Sequence, residues 1–114
     1  MTSTPHAIAL AVAALDWVER ELALSDAEIG QALGVDRKLI YRWRMRERGP
    51  TPDQLGQLEK LPELRRLVEN AFRTPELGKR WFRQPAPALK GRTPISALRD
   101  GQIDSVLRLL ATTD

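Results

Sequence analysis

The stretch Ser25–Arg48, SDAEIGQALGVDRKLIYRWRMRER, decides how this chain is read. Ser25 and Glu28 have the S-x-x-E spacing of a capping box, in which each side chain satisfies a backbone N–H left orphaned in a first helical turn. Ile29 and Leu33 lie four apart on one face, with the small Gly30 and Ala32 beside them. Gly34 stands where a helix stops on a residue that tolerates positive φ. Val35 plugs the turn and Asp36 is placed to cap a second helix. There Ile40 and Trp43 point inward, leaving Arg37, Lys38, Tyr41, Arg42 and Arg44 outward. The pattern predicts a helix-turn-helix whose second helix suits a major groove.

Two amphipathic helices joined by a glycine also occur in any helical bundle, and exposed arginines are ordinary solvation. The coincidence of spacings favours DNA. Gly30, Gly34, Val35, Ile40 and Trp43 all hold the required offsets, and Arg37–Arg48 carries six basic residues against one acidic residue, Glu47. Arg37, Lys38, Tyr41 and Arg42 are the candidates for base edges or nearby phosphates. Arg44, Arg46 and Arg48 are the candidates for phosphate contacts. One such unit offers few contacts, so a homodimer on repeated or inverted half-sites is expected.

With 114 residues, 42% of them hydrophobic, the chain can bury a core as one compact domain or as two small parts sharing one. The net charge of +3 is unevenly spread: residues 1–24 carry −2, residues 25–50 carry +2 and residues 51–114 carry +3. That patchiness suits docking on phosphates more than a polycationic tail. There is no cysteine, which excludes disulfides and thiolate metal sites, and a single histidine, His6, cannot form a metal cluster or a triad. His6 is read as a surface residue at a helix start. No cofactor or metal is expected. Nor is an enzyme, for want of clustered His or Cys, paired carboxylates or a phosphate-binding glycine loop. The apolar run Ala7–Leu15 lacks a basic leader and runs straight into charged Asp16–Glu21, so a soluble cytoplasmic protein off the membrane is expected.

That run forms a first helix of its own, with Thr4 as cap and Pro5 at the first position. Ile8, Val12, Leu15 and Val18 or Glu19 make its stripe, widened by Ala11, Ala14 and Leu22. It packs on the helix-turn-helix or, through its alanine-rich face, seats a partner subunit. After Gly49-Pro50, Thr51 caps a helix carrying Leu55, Leu58 and Leu61. Pro62 either kinks that helix or begins another, with Leu64, Leu67, Val68, Ala71 and Phe72 inward. Thr74-Pro75 opens a short helix to Trp81 and Phe82. Pro85 and Pro87 hold an extended segment, and Leu89 tucks inward with Trp81 as its lid. Gly91 turns the chain, Thr93 caps a helix from Pro94 to Asp100-Gly101, and Ile103, Val106, Leu107 and Leu110 stripe the last helix. No strand-like alternation occurs. The fold expected is all-α, with residues 1–50 holding the first helix and the helix-turn-helix, and residues 51–114 a packed helical part.

The order Trp81, Pro85 or Pro87, Leu89, Gly91, Pro94, Leu98, Gly101, Val106, Leu109 and Leu110 resembles the toxin-binding domain of the Xre/MbcA/ParS antitoxin family. Its pattern is W-L-x-x-P-N-x-x-L-G-G-x-x-P, then a leucine helix, a glycine and V-x-x-L-L. Glu28-Ile29-Gly30 and Arg42-Trp43 are similar to the Xre-like helix-turn-helix of the same antitoxins. Together the two likenesses span residues 25–112. Lys90 stands at the second position of the usual L-G-G signature, and the asparagine usual after the proline is absent.

The resemblance implies the antitoxin of a type II toxin-antitoxin system, encoded beside a RES-domain toxin that consumes NAD. Such an antitoxin covers or occupies the toxin's active-site entrance and, often dimeric, represses its own operon by binding operator DNA. It implies toxin-binding residues at Arg83, Leu89, Lys90, Gly91, Arg92 and Pro94. Chemistry adds that Lys79, Arg80, Arg83, Lys90 and Arg92 are five basic residues in a stretch with no acidic one, suited to an acidic rim. A solvated positive face is the alternative, and Trp81 is read as core. The competing function is a stand-alone helix-turn-helix regulator without a toxin. An adjacent reading frame for a RES-type protein distinguishes the two.

Overall fold

The capping signals of the sequence become the helix boundaries of the protein. The computed structural model describes residues 5–47 and 49–112, without the side chains of residues 5–7. Thr4, the side chain of His6 and Arg48 therefore lie outside the described residues. Among the described residues eight α-helices follow in order: α1 (Pro5–Leu22), α2 (Asp26–Leu33), α3 (Arg37–Arg44), α4 (Pro52–Leu58), α5 (Lys60–Ala71), α6 (Pro75–Phe82), α7 (Pro94–Arg99) and α8 (Ile103–Ala111). A 3-10 turn, Pro87–Leu89, lies between α6 and α7. No strand occurs among the described residues.

Five of the starts carry a side-chain cap. Ser25 Oγ accepts from the Glu28 amide at 3.2 Å while Glu28 accepts from the Ser25 amide at 3.0 Å, which closes the capping box of α2. Asp36 accepts from the Lys38 amide at 2.8 Å and starts α3. Thr51 and Gln54 form a second capping box at α4, and Thr74 and Thr93 cap α6 and α7. Gly34, at φ 72°, ends α2 in the left-handed region. Gly30 is needed for a different reason. A Cβ there would sit 2.6 Å from the Val35 carbonyl oxygen, so only glycine lets the turn fold back on α2.

Pro62 begins a separate helix instead of kinking a long one: α4 ends at Leu58, and the proline lies in the first turn of α5, where its missing N–H leaves no bond unmade. The inner face of α5 is Leu61, Leu64 and Val68, with Leu67 and Phe72 half-buried. Ala71, expected on that face, is exposed. It occupies the last turn, and the chain then leaves helical geometry at Phe72, which turns extended. Phe72 folds back so that its ring lies 5.7 Å from that of Trp81.

One hydrophobic cluster runs through both halves. Leu15, Val18 and Leu22 of α1 join Ile29 and Leu33 of α2, Ile40 and Trp43 of α3, Leu61 and Leu64 of α5, Leu98 of α7 and Val106 of α8. α1 is the common beam: it packs on α3, α5 and α6. α2 packs on α3 and on α7, and α8 closes the far side against α5 and α7. The radius of gyration, 13.7 Å, is close to the ~13 Å of a single compact domain of this length.

Candidate functional site

α3 exposes one face and buries the other. Ile40 and Trp43 are inside, while Arg37, Lys38, Tyr41 and Arg42 stand in solvent, Tyr41 with 51% of its surface exposed. Arg37 and Tyr41 form one i,i+4 row and Lys38 and Arg42 the next, so four hydrogen-bonding side chains cover about a turn and a half of helix. They rim a shallow depression together with Asp26 and Glu47. Met45 continues the outer face, and Arg46, also exposed, ends the helix with φ 58°.

Arg44 does not belong to this surface. The expectation that it faces outward as a phosphate contact is corrected: it follows buried Ile40 by one helical turn and shares that flank. Its Nη1 donates to Asp16 Oδ1 at 2.8 Å and lies 3.0 Å from Glu19 Oε2, while its Nη2 donates to Asp26 Oδ1 at 2.7 Å. Only 18% of the side chain is exposed. Burial works against its charge, but the hydrogen bond and charge of Asp26, with Glu19 and Asp16 behind, outweigh it and hold its pKa above the ordinary value. Arg44 therefore ties α3 to α1 and α2 from beneath.

The second candidate surface is the segment from α6 to α7. The chain turns at Lys90 (φ 59°) and Gly91 (φ 82°), two successive left-handed residues. The Ala86 amide donates to the Arg92 carbonyl at 3.0 Å and the Gly91 amide to the Ala86 carbonyl at 3.0 Å, which closes the loop on itself. Of the residues expected at a toxin contact, Arg83, Lys90 and Gly91 are exposed. Leu89 and Pro94 are not; Leu89 is 7% exposed within the core cluster, and Pro94 is buried in the first turn of α7. Leu89 thus tucks inward as its apolar character predicts, and the expectation that Leu89 and Pro94 stand at a contact surface is corrected: both are buried residues that hold the loop. Arg92 is half-buried and internally engaged, with its guanidinium on the Asp100 carboxylate and on Ser96 Oγ at 2.9 Å. It clamps α7 and is thereby removed from the free basic face. Arg83 donates to the Lys79 carbonyl at 3.2 Å, and Lys79 pairs with Glu21 at 3.2 Å. Trp81 is half-buried, with Phe82 edge-on at 5.0 Å as well as Phe72.

The two surfaces are mechanically joined. Arg99 at the end of α7 pairs with Glu28, the capping-box residue of α2. The Ser25 amide bond to Glu28 and the Arg99 charge outweigh burial and lower the pKa of Glu28. Gly101 passes so close to α2 that a Cβ would lie 3.1 Å from the Gln31 carbonyl. None of these long-range partners is signalled by local spacing. Among the described residues, no group of three or more His, Cys, Asp or Glu could hold a metal ion. No helix among them is long and apolar enough to cross a membrane.

Residues 67–114 match the antitoxin Xre/MbcA/ParS C-terminal toxin-binding domain. The fold is similar to that of a chain in the crystal structure of the M. tuberculosis MbcT-MbcA toxin-antitoxin complex. The TM-score is 0.57 at 20% identity, covering 88% of this chain and 89% of that one, a likeness of fold. No curated protein matches the sequence. The likeness to the Xre/MbcA/ParS antitoxins thus rests on residues 67–114, under half of the chain, and beyond them on a shared fold.

Proposed function

We propose that this antitoxin neutralises a RES-type, NAD-consuming toxin by direct binding and represses its own operon through a helix-turn-helix formed by α2 and α3. The observation that carries the reading is the union of two surfaces on one core. Residues 67–114 match a toxin-binding domain, and α3 holds Arg37, Lys38, Tyr41 and Arg42 outward. On DNA, Arg37 and Arg42 suit guanine edges or phosphates, and Arg46 a phosphate at the end of the helix. Arg44 and its three carboxylates fix the angle at which α3 is presented. The protein acts as a cytoplasmic homodimer, since two half-sites one DNA turn apart, roughly 34 Å, need two copies of α3. On the toxin side Arg83 and Lys90 steer an acidic partner, and the Arg92–Asp100 clamp keeps the loop that carries Lys90 in shape. The role is regulatory and not enzymatic.

Two measurements test this. A labelled duplex from upstream of the gene should bind far more tightly than a scrambled duplex, with affinity falling steeply between about 50 and 200 mM salt. Equal binding to both duplexes defeats the operator reading. The neighbouring gene expressed alone should arrest growth and drain NAD, and co-expression of this chain should relieve both. A harmless neighbour would leave a DNA-binding regulator in place of the antitoxin.

A further inference from the structure

A groove of about 270 Å³ opens between the end of α1 and helices α5 and α6. Its apolar lining comes from Trp17, Val68, Phe72 and Phe82. Gly78 lets α6 approach α5 closely at the floor of the groove: a Cβ there would lie 3.1 Å from Val68 Cγ1 and 3.5 Å from the Phe72 ring. Four cations and two carboxylates line the same groove: Arg20, Arg65, Arg73 and Lys79 against Glu21 and Glu69. Lys79 and Arg20 are held on Glu21 at 3.2 and 3.3 Å, and Arg65 reaches Glu69 at 3.4 Å within one exposed helix turn. Arg73 has no hydrogen bond or ion pair among the described residues. The groove is thus an apolar hole with surplus positive charge around it. Its volume falls below the ~300–1,000 Å³ of small-molecule sites and suits a single large side chain.

We infer that this groove docks an acidic, amphipathic segment of the toxin, which seats one aromatic or aliphatic side chain between Trp17 and Phe72 and sets its carboxylates against Arg20, Arg65 and Arg73. The inference rests on the toxin-binding reading and extends it. Phe72, Arg73 and Lys79 lie within residues 67–114, but Trp17, Arg20 and Arg65 lie outside that domain. Five of the fourteen lining residues are then supplied by α1 and by Arg65 of α5. An acidic partner is the complement of the charge, and a buried anchor ringed by polar contacts is the usual form of an interface hot spot.

The test measures affinity for the toxin encoded by the neighbouring gene, purified and titrated against full-length variants. Arg73→Glu should weaken binding at least tenfold, and Arg73→Lys should stay close to wild type. Thermal unfolding and operator affinity should be unchanged in both, because Arg73 is exposed and makes no internal bond. Arg83→Glu with Lys90→Glu is measured in parallel. If that pair weakens the complex while Arg73→Glu binds within twofold of wild type, the groove inference is wrong and toxin binding stands. If wild type does not bind the toxin, the reading beneath it fails too. Stabilisation of the free protein by indole-3-acetate, lost in Arg73→Glu with toxin affinity unchanged, would make the groove a small-anion site and overturn the inference.

Discussion

Helix α3 and the loop from Arg83 to Pro94 are the two basic stretches of this molecule, and each turns one arginine inward. In α3 the regular 3.6-residue period separates the sides, so Arg37, Lys38, Tyr41 and Arg42 stand outward as their spacing to Ile40 and Trp43 requires. The exception, Arg44, is captured by carboxylates 28 and 18 residues away in sequence, Asp16 and Asp26. In the loop no period exists. Leu89 and Pro94 sink, Arg92 closes on Asp100, and Lys90 is left exposed by a pair of left-handed turns. A helix therefore advertises its exposed face, while a loop reveals its own only after its internal bonds are known.

The largest test of this contrast is at the turn that sets α3. Gly30→Ala forces a methyl against the Val35 carbonyl and should lower unfolding free energy by about 3 kcal/mol in urea titration. No effect would mean that the turn opens freely and does not fix the helix. Arg44→Ala leaves three carboxylates facing each other and should cost about 2 kcal/mol, below the range for fully buried pairs because Asp16 and Glu19 are well exposed. It should weaken operator binding without changing the salt slope, since Arg44 meets no phosphate. Arg42→Ala is its counterpart: folding stays intact, while the slope of log K against log salt falls by about one if Arg42 meets a phosphate. Identical slopes for the two variants would erase the distinction between them.

Smaller effects probe the joint and the loop. The pKa of Glu28 is lowered in the folded state, so its contribution is present above the ordinary value of 4.5 and is lost as pH falls through the folded pKa. Glu28→Gln should therefore lower stability near neutrality, where the contribution is fully present, and flatten the acid limb, so that variant and wild type converge below about pH 4.5. Lys90→Gly removes a left-handed side-chain penalty and should raise stability by about 0.5 kcal/mol, offset in part by the entropy of glycine in the unfolded chain. A loss would mean that the Lys90 side chain stabilises the loop.

Local signals were the legible ones. Ser25, Asp36, Thr51, Thr74 and Thr93 cap helices because a cap depends on residues two or three positions away. Pro62 was ambiguous, since kink and start share the same chemistry and only the end of α4 decides between them. Ala71 misled because periodicity does not announce where a helix ends. The pairing of Arg44, the Arg99–Glu28 bridge and the groove over Phe72 all need residues brought together by the fold. Their partners carry no spacing for a sequence to display.

The beam-like position of α1 makes the molecule hard to divide. A cut in the link between α3 and α4 would strip Leu15, Val18 and Leu22 of their neighbours on α5 and leave Leu61 and Leu64 bare on the other piece. Neither fragment would keep a dry interior. The helix α3 and residues 67–114 are thus inseparable as materials, and evolution or an engineer can exchange one only by redesigning the face of α1 that serves the other.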